Sequence, residues 1–316
     1  TTVADGSDMG GSIRIPASYC GVVGYKPPFG RVPGVPPFNL DPYCVQGPLA
    51  RSVEDCALLQ DVLAGPDLRD LTTVPNGPSL LDALRSPLDP GGVPIALTAD
   101  GGGFPIDAET EHLVRLAAHA FRDLGFRVDE VAPEWTAADV LLAAQIHAGL
   151  TFGASLDEEV SAHPELVTSY VRKVAERARL VAKEDRGRGI EAELRVQGAM
   201  TTLLQSYPIV MMPVIGISEM PVGEDYVEHG PVVDGFVTEK HRDVMPTLIF
   251  NICSSLPVIT VPCGRTAAGV PVGIQIAARP FEDALCFRVA AAFESSVNLQ
   301  SERDRLILGS AGRGSD

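Results

Sequence analysis

The segment between residues 93 and 131 contains the pattern that most constrains the fold of this chain. A short apolar run at 93–98, bounded by proline and glycine, predicts a buried strand. An amphipathic helix is predicted over 108–124, followed by Gly125 and an alternating strand at 126–131. A strand, a helix and a second strand in this order indicate a parallel pair joined by a right-handed crossover.

Other segments extend this unit into a predicted α/β fold with a large mixed, mostly parallel β-sheet and helices on both faces. Ser52 is predicted to cap a helix, and a proline- and glycine-rich stretch at 19–47 is predicted to be an extended surface loop. The remaining predictions are helical structure throughout 137–204, buried strands at 209–214, 258–261 and 270–277, and a closing helix at 282–295.

The length and composition predict a single large domain. A chain of 316 residues, 45% hydrophobic and 21% charged, can bury a sizeable core and has the composition of a soluble globular protein. We expect this domain to span residues 1–300 and to lack an N-terminal layer. Residues 301–316 are polar and rich in glycine and serine, and they are predicted to form a disordered C-terminal tail.

The net charge and the spacing of the cysteines limit which macromolecular partners, metals and cofactors are expected for this chain. The formal net charge is −16, from 41 acidic and 25 basic residues, which disfavours nucleic acid and anionic membranes as partners. The six cysteines show neither a CxxC pair nor metal-ligand spacing, so we expect reduced thiols, no metal and no cofactor. No uninterrupted apolar run approaches the ~20 residues that a membrane-spanning helix needs, and a cytoplasmic location is expected.

The stretch from Asp5 to Ala17 contains the strongest candidate for chemistry, Gly10-Gly11-Ser12. Ser12 is a plausible nucleophile, because adjacent glycines let backbone N–H groups approach a developing oxyanion without a Cβ in the way. The pattern is neither the GxxxxGK[ST] phosphate loop nor the GxGxxG dinucleotide fingerprint. An isolated Gly-Gly-Ser is also typical of a plain turn.

The longer motif resembles the amidase signature family of serine hydrolases, which use a Ser–cis-Ser–Lys triad. The resemblance covers nearly the whole chain and rests on the segments 6–16, 21–27, 30–32, 47–55, 256–262, 271–275 and 281–284. It implies that Ser12 attacks an amide carbonyl to form an acyl-enzyme, and that water then hydrolyses this intermediate.

The resemblance also implies roles for the residues around the nucleophile. The N–H groups of Met9, Gly10, Gly11 and Ser12 would form the oxyanion hole. Ser7 and Asp8 would brace the loop through side-chain hydrogen bonds to backbone N–H groups. Arg14 is a candidate partner for Asp8, and a structural ion pair is the favoured role for these two side chains.

The base that would activate Ser12 is not found among these motifs. In the family, the catalytic lysine and the cis-serine lie upstream of the nucleophile motif, a region that this chain does not contain. Lys26 occupies a Gly-x-Lys-Pro position beyond Ser12 and is a poor candidate for the base. The histidines, which read as surface or packing residues, are His112, His119, His147, His163, His229 and His241.

Substrate choice is expected to depend on the variable middle of the chain, roughly residues 135–245. Six side chains there suggest apolar pocket walls, although such stripes are more often core: Leu141, Leu142, Ile146, Phe152, Met211 and Met220. The function predicted is hydrolysis of a small-molecule amide, by a protein that could form a homodimer. Two alternatives stay open, a catalytically silent fragment and the amidase subunit of a tRNA-dependent amidotransferase.

Overall fold

Strand pairing organises the part of the chain that the computed structural model describes, residues 2–226 and 228–297. The strands, in chain order, are β1 Val3–Asp8, β2 Val23–Lys26, β3 Val45–Ala50, β4 Ile95–Leu97, β5 Val128–Glu130, β6 Ile209–Pro213, β7 Val232–Val233, β8 Phe236–Val237, β9 Val258–Arg265 and β10 Pro271–Ala278. The helices are α1 Arg14–Cys20, α2 Val53–Leu63, α3 Leu80–Leu84, α4 Ala108–Asp123, α5 Ala137–Ala162, α6 Ser169–Arg179, α7 Arg186–Ser206, α8 Leu248–Ile252 and α9 Asp283–Ser296. The predicted tail at 301–316 lies outside the described residues.

Eight of these strands form one mixed sheet in the order β1-β3-β2-β9-β10-β6-β4-β5, and β7 and β8 form a separate hairpin. The parallel pair predicted around the crossover helix is confirmed, because β4 pairs in parallel with β5, with Ile95 opposite Val128. β4 also pairs in parallel with β6. Together with the helices on both faces, this confirms the predicted α/β class with a large mixed sheet.

The expectation that most pairings would be parallel needs correction. The five neighbour pairs from β1 through β6 are antiparallel, and parallel pairing is confined to the edge formed by β6, β4 and β5. The reason is local: β9 ends at Arg265 and β10 begins at Pro271, which leaves only a short turn between them. Such a turn joins antiparallel strands, whereas parallel neighbours need a crossover of a dozen or more residues.

The stretch 19–47 is also more ordered than predicted, because β2 lies inside it and β3 begins within it. All four residues of β2 are buried, and Gly24 lets the strand approach α1 closely: a Cβ there would lie 2.7 Å from the Cβ of Ala17. Glycine reads as a loop signal in the sequence, but here it allows close backbone packing.

The sheet separates two hydrophobic cores. One core lies under α2, α4 and α9 and contains alternate strand residues such as Ile274 and Ile276. The other lies under α5, α7 and α8 and contains Val258 and Ala277. Alternate side chains of the strands therefore pack into the two cores on opposite faces of the sheet. The second face also carries α8, whose residues are neighbours of the glycine-rich motif.

Helix termini follow the predicted chemistry. The Ser52 hydroxyl accepts a hydrogen bond from the Asp55 N–H at 3.1 Å and caps α2. Asp107 caps α4 in the same way, through the Thr110 N–H at 2.7 Å. No single helix among the described residues is long and apolar enough to span a membrane, although the bent pair Ala137–Gly153 and Leu156–Ala162 reaches that length and composition when its two parts are combined.

Candidate active site

The glycine loop, residues 9–13, connects β1 to α1 and places Ser12 at an exposed position. Gly11 has φ +124°, and a Cβ at this position would lie 2.6 Å from Thr247 Oγ1 and 2.8 Å from Ile15 Cδ1. Only glycine satisfies both the backbone conformation and the available space. The Thr247 hydroxyl donates to the Gly10 carbonyl oxygen at 2.6 Å, so the loop lies directly against the start of α8.

The Asp8 side chain holds the glycine loop in place. Its fully buried carboxylate accepts hydrogen bonds from the backbone N–H groups of Gly11 at 2.8 Å and Ile13 at 3.3 Å. The Arg14 guanidinium donates to both oxygens of the same carboxylate, at 2.9 and 2.8 Å. The expected Asp8–Arg14 ion pair is therefore present, and it is bidentate, the geometry in which arginine binds carboxylates most strongly.

The rest of the Arg14 guanidinium is satisfied by groups from distant parts of the chain. It donates to the Thr247 carbonyl oxygen, to Gln275 Oε1 at 2.9 Å and to Asn251 Oδ1 at 2.7 Å. The Asn251 amide in turn donates to Asp8 at 3.0 Å. Every side chain in this network is buried. Because buried charges are stable only when paired and fully hydrogen-bonded, the network holds the glycine loop in one conformation.

The electrostatics keep Asp8 ionised. Burial by itself would raise the pKa of this carboxyl, but the charge and hydrogen bonds of Arg14, together with the Asn251 amide, lower the pKa to about 2. Opposite charge and hydrogen bonds to the charged form therefore outweigh desolvation. Asp8 acts as a fixed anion that orients backbone N–H groups, and it is not a proton acceptor at neutral pH.

Ser7 behaves differently from its neighbour. Its side chain is exposed and makes no hydrogen bond with another described residue, so the bracing expected of it is made by Asp8 instead. The reason is strand alternation: in β1, Asp8 faces the interior, and the adjacent residue therefore lies on the opposite side.

The four backbone N–H groups predicted to form the oxyanion hole differ in their hydrogen bonding. The Gly11 N–H is already engaged by Asp8. Within residues 2–226 and 228–297, the N–H groups of Met9, Gly10 and Ser12 have no protein acceptor, and the Ser12 hydroxyl has no hydrogen-bond partner. The loop thus presents an exposed hydroxyl next to unengaged backbone donors.

A cavity of about 1170 Å³ lies beside the glycine loop and includes Met9 in its lining. Apolar side chains from the 27–44 loop and α5, chiefly Phe38, Leu141 and Phe152, form one part of the wall. The rings of Phe38 and Phe152 have centroids 5.5 Å apart. Charged and polar side chains of α6 and of residues 239–243 form much of the remaining wall, and a concave site that combines apolar walls with placed polar groups is typical of small-molecule binding.

The sequence identified only part of this wall. Leu141 and Phe152 line the cavity, but Met211 and Ile146 are buried in the interior and Met220 is exposed. Leu142 packs against the core on the α5 side of the sheet. The alternative interpretation, that an apolar stripe is core, therefore holds for Met211, which lies on β6 and packs in the core under α2, α4 and α9.

None of the other candidate bases is hydrogen-bonded to the Ser12 hydroxyl among the described residues. Lys26 is buried, and its ammonium donates to the carbonyl oxygens of Pro27 and Ser254 at 3.1 and 3.3 Å. His147 stacks on Tyr43 with ring centroids 3.7 Å apart and contacts Asp41 at 2.9 Å. His241 lines the cavity, a position that its sequence context did not reveal.

Sequence reasoning also overlooked Thr247, Asn251 and Gln275, which complete the network around Asp8 and Arg14. One signal was available. Asn251 interrupts the apolar run at 248–261, and a polar residue inside such a run must find buried partners. The identity of those partners depends on contacts between residues more than 230 positions apart, as for Asn251 and Asp8.

A family model described as Amidase matches residues 1–287 of this chain. With the mixed sheet and the Gly-Gly-Ser loop described above, the chain belongs to the amidase family, and the predicted membership of the amidase signature family is confirmed. An acylamidase from Rhodococcus erythropolis is 31% identical over 299 residues, which cover 93% of this chain and 61% of the acylamidase. A glutamyl-tRNA(Gln) amidotransferase subunit from Thermus thermophilus is 31% identical over 319 residues, 93% of this chain and 64% of that protein.

Solved structures give the same result for the fold. A bacterial aryl acylamidase of the amidase signature family superposes with a TM-score of 0.85 at 25% identity, covering 96% of this chain and 64% of that structure. A 6-aminohexanoate cyclic dimer hydrolase superposes with a TM-score of 0.77 at 26% identity, covering 94% and 64%. This chain therefore spans less than two thirds of the length of these relatives.

Proposed function

We propose that the protein to which this chain belongs hydrolyses a small carboxylic amide, with Ser12 as the nucleophile. The observation that carries the proposal is the state of the glycine loop: an exposed serine hydroxyl beside unengaged N–H groups, on a loop fixed by a buried ion pair. Family membership supports the same chemistry, as do the acylamidases among the relatives.

In the proposed reaction the Ser12 oxygen bonds to the amide carbon, and the carbonyl oxygen accepts hydrogen bonds from the N–H groups of Met9, Gly10 and Ser12. Gly11 would contribute by holding the loop through its N–H to Asp8. The serine proton passes to the leaving nitrogen as the C–N bond breaks, and an ester remains on Ser12. Water then attacks the ester, and its proton returns to Ser12. Donors of this kind each contribute about 10²–10³ in rate in other hydrolases.

We assign the proton transfer, by resemblance, to a lysine acting through a cis-serine, which in the family precede the nucleophile motif. Asp8 and Arg14 act as positioning residues, since neither side chain has a free hydrogen-bonding direction toward Ser12. The fixed loop supplies what a nucleophile needs besides a base, an oriented hydroxyl and a preformed site for the oxyanion.

Covalent labelling tests the assignment of Ser12. We expect a fluorophosphonate to modify Ser12 in a protein that has the complete site, with the adduct mapped by mass spectrometry and accompanied by loss of amide turnover. Ser12→Ala should abolish both. Ser86→Ala, a change at an exposed serine on the surface, should leave both intact. An adduct on another residue that blocks turnover would disprove the proposal.

The relatives favour a second candidate, the amidase component of a tRNA-dependent amidotransferase. The amidotransferase protein from Thermus thermophilus is as similar to this chain as the acylamidase is. Hydrolysis of simple amides by the protein alone would favour the amidase. Co-purification with a tRNA-binding partner, together with ammonia transfer, would favour the amidotransferase. Turnover measured with the isolated 316-residue chain also decides whether this chain is silent by itself.

A further inference from the structure

Two arginines in the cavity beside the glycine loop have no acidic partner. Arg242 lies on the 3₁₀ turn His241–Val244, is mostly buried, and makes no side-chain hydrogen bond or ion pair with any described residue. Arg177, on α6, is partly buried and likewise has no ion-pair or hydrogen-bond partner among residues 2–226 and 228–297. Both arginines line this one cavity, and burial together with the positive charge of Arg177 lowers the pKa of Arg242 against the opposing effect of Tyr170.

The other basic side chains of α6 each have an ion-pair or hydrogen-bond partner, unlike Arg177; the Arg172 guanidinium donates to the Val167 carbonyl oxygen at 2.8 Å. Lys173 lies 3.4 Å from Glu176, and Arg179 lies 2.7 Å from Asp157. Both pairs lie on the exposed or half-exposed surface. Arg177 is therefore the basic side chain of α6 that lines the cavity without a partner among the described residues, whereas Lys173, which also lines it, is paired with Glu176.

Acidic residues also line the cavity but do not neutralise these arginines. Glu159, Glu176 and Glu239 are exposed, and the Asp243 carboxylate accepts the backbone N–H groups of Glu239 and Lys240 at 3.1 and 2.9 Å. Within the part of the chain described, none lies within ion-pair distance of Arg177 or Arg242. Two cations held together away from water are unfavourable, and an anion bound between them would offset that cost.

His241 adds a neutral polar group next to Arg242. Its Nε2 lies 3.2 Å from the Tyr170 hydroxyl, and its Nδ1 is buried without a partner among the described residues. Burial and the two arginines lower the pKa of this histidine to about 4, so it adds no positive charge at neutral pH. Lys240 also lines the cavity as a point charge, but the planar fork of arginine is the group that matches a carboxylate.

We propose that Arg177 and Arg242 bind a carboxylate at the far end of an amide substrate whose carbonyl reaches Ser12. The inference rests on the proposed function and specifies its substrate class: an amide with an apolar spacer and a terminal carboxylate. Arg242 is five residues from Thr247, which contacts Gly10, and five residues span at most about 18 Å. The apolar side chains Phe38, Leu141 and Phe152 line the same cavity and suit the spacer.

The test compares two anilides that differ only in their terminal group. Glutaranilate has a terminal carboxylate, and pentananilide ends in a methyl group. We expect the protein to bind glutaranilate at least ten times more tightly in isothermal titration. Arg242→Met and Arg177→Met should each lower the affinity for glutaranilate by about 10- to 100-fold, the range for charge-assisted hydrogen bonds, and should leave the affinity for pentananilide unchanged. Arg179→Met, on the same helix but paired with Asp157, should leave both affinities unchanged.

Binding and turnover separate the two proposals. Equal affinity for both anilides, or a preference that survives both arginine substitutions in folded protein, overturns the carboxylate site and leaves amide hydrolysis standing. A preference that depends on the arginines, in a protein with the complete site that hydrolyses neither anilide nor other amides, supports the carboxylate site and overturns the proposed hydrolysis. Thermal unfolding of each variant verifies that the substituted proteins remain folded.

Discussion

Lys26 is 1% exposed, and its ammonium is hydrogen-bonded only to backbone carbonyl oxygens among the described residues. Burial, together with the neighbouring positive charge of Arg14, lowers the pKa of Lys26 to about 7. A lysine whose pKa is lower in the folded state than in the unfolded state destabilises the fold at pH values below its unfolded pKa. This penalty is complete below pH 7 and disappears as the pH rises toward the unfolded value of 10.5.

Substitution of Lys26 by methionine should remove this pH dependence. We expect the difference in unfolding free energy, wild type minus Lys26→Met, to rise by about 1 kcal/mol between pH 7 and pH 8. Urea denaturation at several pH values measures the difference. Burial raises the pKa of buried cysteines such as Cys253 from 9.0 to about 12, so these cysteines lower stability only at pH values above this interval.

Lys183→Met is the matched control, because Lys183 is exposed. Its difference from wild type should stay constant over the same pH interval. A constant difference for Lys26→Met as well would show that Lys26 keeps an ordinary pKa in the folded protein.

Among the elements, α4 shows how one side chain can tie a helix to a distant segment. The Asp107 carboxylate caps the helix through Thr110 N–H, and its other oxygen accepts both the N–H and the hydroxyl of Ser218, at 2.6 and 2.7 Å. The Asp107 N–H also donates to the Gly216 carbonyl oxygen at 2.7 Å. Asp107 therefore joins the start of α4 to the segment that follows β6.

Removal of the Asp107 carboxylate should lower the unfolding free energy more than removal of an ordinary N-cap side chain. We expect Asp107→Ala to lower the unfolding free energy by about 2–3 kcal/mol, since it removes a cap and two charge-assisted hydrogen bonds. Ser52→Ala removes only a cap, that of α2 through the Asp55 N–H, and should cost about 1 kcal/mol. Equal costs in urea denaturation would show that the contacts to Ser218 contribute nothing.

The elements also show what local sequence can predict. Helices α2, α4 and α9 and strands β4, β6, β9 and β10 lie where periodicity and capping residues predict them. The strands β1, β2 and β3 were not predicted, since their segments contain glycine, proline or exposed polar residues. Their strand geometry depends on neighbours: Gly6 in β1 faces Gly47 in β3, a pairing that no local pattern encodes.

At the scale of the molecule, dependence on distant neighbours also explains why the sequence predicted only part of the candidate site. Ser12, Asp8 and Arg14 lie within one motif, so their association is local and readable from the sequence. Asn251 reaches the site through the packing of α8, Gln275 through the order of the strands, and Arg242 through the 3₁₀ turn before α8, all of which require the complete fold. Long-range contacts of this kind place both the network under the glycine loop and the cations of the cavity.

Alternate side chains of the central strands belong to opposite cores, and this predicts that both cores unfold together. On β10, Ile274 and Ile276 lie in one core and Ala277 in the other, so neither core can lose its packing without disturbing the shared strand. Trp135, the only tryptophan of the chain, is buried on the α5 side, and its indole N–H donates to the Gly101 carbonyl oxygen at 2.9 Å. Its fluorescence therefore reports on the face that carries the candidate site.

Phe293→Leu places a defect in the opposite core, where Phe293 is buried and stacks on Phe121 at 4.8 Å. We expect the substitution to lower the unfolding free energy by about 1 kcal/mol and to shift the urea midpoint of Trp135 fluorescence as much as that of far-UV circular dichroism. Leu150→Ala, at a half-exposed position on α5, should move neither midpoint by a comparable amount. A Trp135 midpoint that stays at the wild-type value while the dichroism midpoint falls would mean that the two faces unfold separately, and that the candidate site depends only on its own core.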